Sequence, residues 1–237
     1  MTNELTVLII ASASIAFFHT VLGPDHYLPF IVMAKSGKWS LKKTSLVTIL
    51  CGLGHVLSSV VLGIVGIVMG IALFKLEAFE AFRGNLAAWG LIGFGLIYTL
   101  WGIRRAVRNK PHVHIHNHDD GIKHEHTHSH ADSHLHPHTE ESKGNVTPWV
   151  LFVIFLFGPC EPLIPLLMYP AAKISISGTV IVAATFSVVT ITTMLGIVLV
   201  STFGISLLPF SKIEKYTHAL AGFTILLSGL SIQFLGL

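Results

Sequence analysis

The chain has 237 residues, of which 52 % are hydrophobic and only 11 % charged, with a formal net charge of +3 and a mean hydropathy of +0.71. Ordinary soluble domains carry about 25 % charged residues, so this composition could not cover a water-facing surface and selects an integral membrane protein. It excludes disorder over most of the length. It also excludes a disulfide scaffold, because Cys51 and Cys160 are the only cysteines and both sit in apolar runs, and nucleic-acid binding, because the basic residues fall in short loops between apolar stretches.

Stretches of about 20 apolar residues cross a bilayer as helices. Six fit, at 5–34, 44–74, 86–103, 148–172, 178–209 and 216–237. Gly23-Pro24 and Pro29 interrupt the first. The N-terminus does not read as a signal peptide: Met1-Thr2-Asn3-Glu4 lacks a positive segment, and the apolar run continues too far. In this alternation Lys75, Arg83 and Lys173 fall on one side of the membrane, and the rest of the 15 Lys and Arg on the other. The positive-inside rule then predicts a multi-pass protein of the cell (inner) membrane, with both termini outside and the loop between spans 3 and 4 in the cytoplasm.

Sliding the chain on itself by 135 residues places Gly23-Pro24 on Gly158-Pro159, Leu28 on Leu163, Met33 on Met168, Lys38 on Lys173, Ser40 on Ser175 and Thr44 on Thr179. The shared Gly-Pro followed by a shared Lys-x-Ser reads as an internal duplication. Each half holds three spans, and an odd number makes the second half enter from the opposite face, as in many transporters. The expected fold is therefore an all-α integral membrane protein of about six transmembrane helices, two inverted three-helix repeats with Gly-Pro-broken helices 1 and 4. The first repeat covers 1–105, a His-rich loop 106–147, and the second repeat 148–237.

Proline removes a backbone donor and clashes with the preceding turn, so each break frees backbone groups that only protein or water can satisfy. An ionisable pair follows each break: Asp25-His26 in the first half, Cys160-Glu161 in the second. Charges inside a span cost at least about 2.5–3.5 kcal/mol, so Asp25 and Glu161, read as the only acids well inside spans, are expected to face a cavity and a partner. A structural hydrogen bond is the plainer alternative. His19 and His26 lie seven apart, close to two helical turns, and His55 sits in Cys51-Gly52-Leu53-Gly54-His55, whose small residues admit a neighbouring helix. One histidine in a span is usually a packing residue. Three in one half beside an acid make a metal site, and imidazole, carboxylate and thiolate together suit nickel, cobalt or zinc. The candidate ligands are His19, Asp25, His26, His55, Cys160 and Glu161. Thr190, the repeat counterpart of His55, and Thr193 one turn later are secondary candidates, although threonine at helix contacts is commonplace. His218 is expected at a membrane interface.

The segment 112–138 holds His112, His114, His116, His118, His124, His126, His128, His130, His134, His136 and His138 with interleaved Asp119, Asp120, Glu125 and Asp132. Such a segment cannot form a core and is expected to be disordered without a ligand. Clustered imidazoles bind divalent transition metals promiscuously, so the loop reads as a metal collector; a pH-sensing linker or a solubilising spacer is the blander reading.

His19-x5-Asp25-His26 with Gly23 between resembles the first-helix signature of the nickel permeases associated with hydrogenase and urease, His-Pro-x-x-Gly-x-Asp-His, with Thr20 in place of the Pro. The nickel/cobalt transporter family has a similar motif and a Leu-Gly-His in a following helix, matched by Leu53-Gly54-His55, and a His-rich cytoplasmic loop resembles the nickel/cobalt efflux relatives. That resemblance covers about the first 60 residues and implies transport of Ni²⁺ or Co²⁺, with His19, Asp25, His26 and His55 in the translocation site. The second half departs from it. Gly158-Pro159-Cys160-Glu161-Pro162 is similar to the Pro-Cys segment of the transmembrane thiol-reductant carriers of the cytochrome c biogenesis type, and to the six-span exporters that include sulfite exporters and urease-accessory-like membrane domains.

The leading expectation is transmembrane transport of a divalent transition metal (Ni²⁺ or Co²⁺, with Zn²⁺ also open), with a slight lean to export and the loop gathering cargo from a cytoplasmic metallochaperone. Such ligands must lose protons to bind metal, so Asp25 or Glu161 offers a route to proton coupling. The alternatives are a membrane thiol-disulfide electron carrier and a non-transporting metal-supply protein for urease or hydrogenase. The carrier needs two cysteines with Cα atoms within about 7 Å. No phosphate-binding Gly-x4-Gly-Lys-Ser/Thr loop is present, so nucleotide is not expected. Enzymatic bond chemistry and a permanent cofactor are not expected either; the lipid bilayer and a metal ion as substrate are.

Overall fold

The computed structural model describes residues 3–108, 112–117, 123–128, 147–173, 175–206 and 214–235. The chain begins with α1 (Asn3–Leu22), a 3-10 turn at Pro24–His26 and α2 (Leu28–Ser36), followed by the long helices α3 (Leu41–Val68) and α4 (Leu73–Arg108). The same order returns after the loop: α5 (Thr147–Phe157), a break, α6 (Leu163–Lys173), then the long α7 (Ile176–Ser206) and α8 (Thr217–Leu235). Between the halves, β1 (His112–Asn117) and β2 (Lys123–His128) pair antiparallel, with His112 opposite His128, His114 opposite His126 and His116 opposite His124. His118, His130, His134, His136 and His138 lie outside the described residues.

Five segments are long and apolar enough to cross a membrane: α1, α3, α4, most of α7, and Glu214–Leu235, which contains α8. Large apolar side chains such as Val7, Ile64, Phe82, Ile97, Val188 and Val200 point outward from them, as a lipid-facing surface requires. The protein is a multi-pass, helical membrane protein in contact with the bilayer. Both Gly-Pro positions interrupt helices. The expected span at 148–172 is two helices of 11 residues, each about 16 Å long at 1.5 Å per residue, so neither half crosses a hydrocarbon core of about 30 Å alone.

Two span boundaries differ from the sequence reading. α3 stops at Val68, because Gly70 takes φ +64° and the Gly70 and Ile71 amides turn back onto the Ile67 and Gly66 carbonyls, closing the helix. α4 starts at Leu73 rather than at 86. Glu77, Glu80 and Arg83 therefore belong to a helix and not to a loop, and Glu80 is wholly buried. Asp25 and Glu161, which lie in the two breaks, are thus not the only acids in the spanning segments.

α4 and α8 pack antiparallel through glycines. A Cβ on Gly95, Gly102 or Gly222 would meet backbone atoms of Leu226, Ala219 or Thr99, and one on Gly229 would meet Ile92. Small residues bring the two backbones together in the manner of close-packed membrane helices. Elsewhere α1 bonds α7 through Ser12 Oγ, which donates to the Val182 carbonyl at 3.0 Å. Two apolar clusters flank the breaks. One gathers Phe30, Met33, Leu91, Leu151, Phe155 and Met194 from α2, α4, α5 and α7. The other gathers Ala16, Val56, Cys160, Leu163, Leu167 and Phe186.

Candidate metal centre

The first break folds on itself. Pro24 has no amide to donate, and the Gly23 amide still reaches the His19 carbonyl at 3.1 Å. The Gly23 carbonyl, freed from helical pairing, accepts from the His26 amide and from His26 Nδ1, both at 3.1 Å. A carbonyl only accepts, so Nδ1 carries the ring proton; Asp25 Oδ1 lies on the same nitrogen at 3.2 Å. That fixes the tautomer. The Nε2 lone pair of His26 is left free and aimed inward, without a hydrogen-bond partner. A carboxylate and a carbonyl behind one ring nitrogen, with the other free, is how proteins orient metal-binding histidines.

His19, on the last turn of α1, places its ring 4.8 Å from that of His26, and His55, near the middle of α3, places its ring 5.1 Å from that of His26. One ring nitrogen from each of the three lies within 4.8 Å of the others. His26 and His55 are each 2 % exposed. His19 Nε2 and both nitrogens of His55 have no hydrogen-bond partner. The Phe155 carbonyl faces the His55 ring, but it already accepts the Gly158 amide at 3.0 Å. Buried polar groups are normally paired, and leaving one unpaired costs about 1–3 kcal/mol. Three converging ring nitrogens, one from each histidine and none with a hydrogen-bond partner, are a donor set matched to a borderline divalent ion.

The triad lines a cavity of about 640 Å³ together with Asp25, Asn85, Gly158, Glu161 and Gln233. Its α4 wall runs from Ala81 to Leu91, in the first half of that helix, and Ile232 and Gln233 come from the last turn of α8. Glu161 is exposed at its mouth and not inside the triad. Cys160 is 0 % exposed and packs in the apolar cluster of Val56 and Phe186, outside the group of converging ligand atoms. Cys51 belongs to the other cluster, and both cysteines are free thiols. On α7, Thr190 is buried with an unpaired hydroxyl and Thr193 is half-buried. His218, in the first turn of α8, bonds the Tyr98 hydroxyl at 2.8 Å through Nδ1 and Arg105 at 3.2 Å through Nε2, so its ring is fully engaged.

The second break is held differently. The Cys160 amide donates to Glu80 Oε2 at 3.1 Å, and the Leu156 carbonyl accepts from Arg83 Nη2 at 2.8 Å. Glu80 and Arg83 pair with each other and reach Ser59 and Ser58 of α3, at 3.2 and 2.6 Å. This pair escaped the sequence reading, which took Arg83 as a loop cation. The available signal was the Glu80-x-x-Arg83 spacing, one turn of helix, continuing upstream of the expected span.

The chain is a multi-pass bundle of membrane helices, with a cavity lined by residues of both breaks. The chain belongs to the family described as the cytochrome c biogenesis protein transmembrane region, whose model matches residues 29–231. The match takes in His55 and the second half as far as Ser231, and begins after His26. No curated protein and no solved structure matches the chain.

Proposed function

We propose that the protein carries a divalent transition-metal ion across the membrane, with His19, His26 and His55 as the site at which the ion rests. The observation that carries this reading is the convergence of buried, unpartnered ring nitrogens within 4.8 Å of one another. The donors are all imidazole, with Asp25 behind one of them, which suits Ni²⁺, Co²⁺ or Zn²⁺ better than hard or thiophilic ions. Glu161 at the cavity mouth meets the ion first, and the three imidazoles replace part of its water. The repeated order of broken helix and two long helices supports an inverted six-span duplication, with the breaks near the midplane. The positive-inside rule supports a cytoplasmic His-rich loop. There it would take metal from a metallochaperone and raise its local concentration, which favours export. The reading is of a carrier, without bond chemistry or a permanent cofactor.

The test is flux of Ni²⁺, Co²⁺ and Zn²⁺ in proteoliposomes, with and without a pH gradient. The intact chain should move metal, and a chain lacking 112–138 should move it more slowly at low concentration. No flux from any version would sink the proposal.

A second reading follows from the family itself. Its name points to cytochrome c biogenesis, hence to a membrane thiol-disulfide carrier, with Cys160 at the second break as the reactive group. Against it, the repeat counterpart of Cys160 is Asp25, and Cys51 and Cys160 pack in separate apolar clusters. Trapping of a Cys51–Cys160 disulfide during turnover would turn the choice toward this reading.

A further inference from the structure

We infer that Glu80 and Arg83 are positioning residues for the metal site: as a buried pair they fix the second helix break, and the break fixes the ring of His55. The inference rests on the carrier reading above and adds to it the element that holds one of the three ligands in place.

The argument follows the contacts outward from the pair. A salt bridge with both partners nearly wholly buried is weak evidence for stability, because desolvation offsets most of the attraction. What this pair does that an apolar replacement could not is satisfy two of the backbone groups that the break leaves free. Arg83 donates to the Leu156 carbonyl at the end of α5, and Glu80 accepts from the Cys160 amide three residues before α6. Both side chains spring from one face of α4, and Ser58 and Ser59 of α3 hold them from behind. Gly84, one residue after Arg83, is the floor on which Pro159 sits: a Cβ there would lie 2.6 Å from the proline ring. Gly158, next to that proline, presses on His55 so closely that a Cβ would lie 2.8 Å from Nδ1. The sequence of contacts is therefore Glu80–Arg83, break, Gly158, His55. The polar group that faces the His55 ring, the Phe155 carbonyl, belongs to the end of α5 at the same break and also accepts the Gly158 amide, whereas His26 is set by its own neighbours Gly23 and Asp25. Packing against the break does for His55 what hydrogen bonding does for His26.

Cobalt(II) is the probe, because its visible absorption reports the number and arrangement of its ligands. The full-length chain in micelles is titrated, and the spectrum of its His26→Ala counterpart is subtracted so that loop-bound cobalt cancels. One variant is the double Glu80→Gln, Arg83→Met, which leaves neither charge buried alone. A second is Gly158→Ala, which pushes on His55 from the other end of the same contacts. Both should weaken cobalt binding about 10–100-fold, the usual effect of losing an outer-shell partner, and both should alter the difference spectrum in folded protein. A purely structural pair would lower the melting temperature and leave the spectrum of the folded fraction unchanged, and that outcome overturns the inference. Should the double variant fail to fold, Gly84→Ala displaces Pro159 with the pair intact, and wild-type spectra from both glycine variants also overturn it. A flat difference spectrum from the wild type defeats the metal site itself. The positioning is then read without metal, from the rate at which diethylpyrocarbonate modifies His55. A rate raised in the double variant with His19 unchanged upholds the inference, and equal rates defeat it.

Discussion

The two helix breaks share a Gly-Pro and a place in the repeated order of elements, yet they are stabilised by opposite means. The first is self-contained. Its free carbonyl is taken by the residue three positions on, and the side chain that does this, His26, turns its other nitrogen into the cavity. The second is held from outside by an ion pair on α4 and gives the triad no ligand, only the flat face of Gly158 and the mouth carboxylate of Glu161. Two breaks with the same Gly-Pro can thus differ in what they offer the cavity: the first turns a free ring nitrogen toward it, and the second is a wall whose position is set by a third helix.

Substitutions can break this comparison or sharpen it. The largest effect is expected at the first break. His26→Ala removes the central ring of the triad and should reduce metal flux by about 100-fold or more, since two remaining imidazoles leave a borderline ion half-dehydrated without compensation; transport above a tenth of wild type would move the site elsewhere. The second break should answer in stability. Arg83→Met alone leaves Glu80 buried and unpaired, which costs about 3–5 kcal/mol, and denaturant unfolding in micelles should show that loss, with the double variant Glu80→Gln, Arg83→Met recovering most of it. Asp25→Asn keeps an acceptor beside His26 Nδ1 but removes the charge. Metal affinity by calorimetry should fall about tenfold, the low end for an outer-shell partner, with little change in unfolding. The smallest effect belongs to Thr190→Val, which removes one unpaired hydroxyl and should leave flux within about twofold and stability equal or slightly higher. A large loss there would make α7 a fourth wall of ligands.

Much of this was legible in the chain, and for physical reasons. Gly-Pro inside an apolar stretch has few outcomes other than a break, so Gly23-Pro24 and Gly158-Pro159 marked the interruptions. Histidines are expensive in lipid, so His19, His26 and His55 announced a shared purpose before any distance was known. Glu80 and Arg83 were missed because hydropathy averages over a window. The stretch from Leu73 to Gly84 reads as polar, and only the partners on α3 and α5 show that its polar face is turned inward. Cys160 and Glu161 illustrate the converse limit. Adjacent residues at a break point in different directions, so neighbours in sequence were assigned to one site that the structure divides between an apolar cluster and a cavity mouth.

The glycine-lined contact between α4 and α8 joins the long helix before the His-rich loop to the last described helix, backbone against backbone. Such a seam has no side-chain layer to shear, so these two helices travel together as one strut, and any rocking of the halves must be taken up at the breaks and in α1, α2, α5 and α6. The seam predicts that the covalent link through the His-rich loop is dispensable for assembly. Two polypeptides, cut between α4 and α5 and expressed together, should find each other along this seam and co-purify, whereas a bulky residue at Gly222 should leave them strangers.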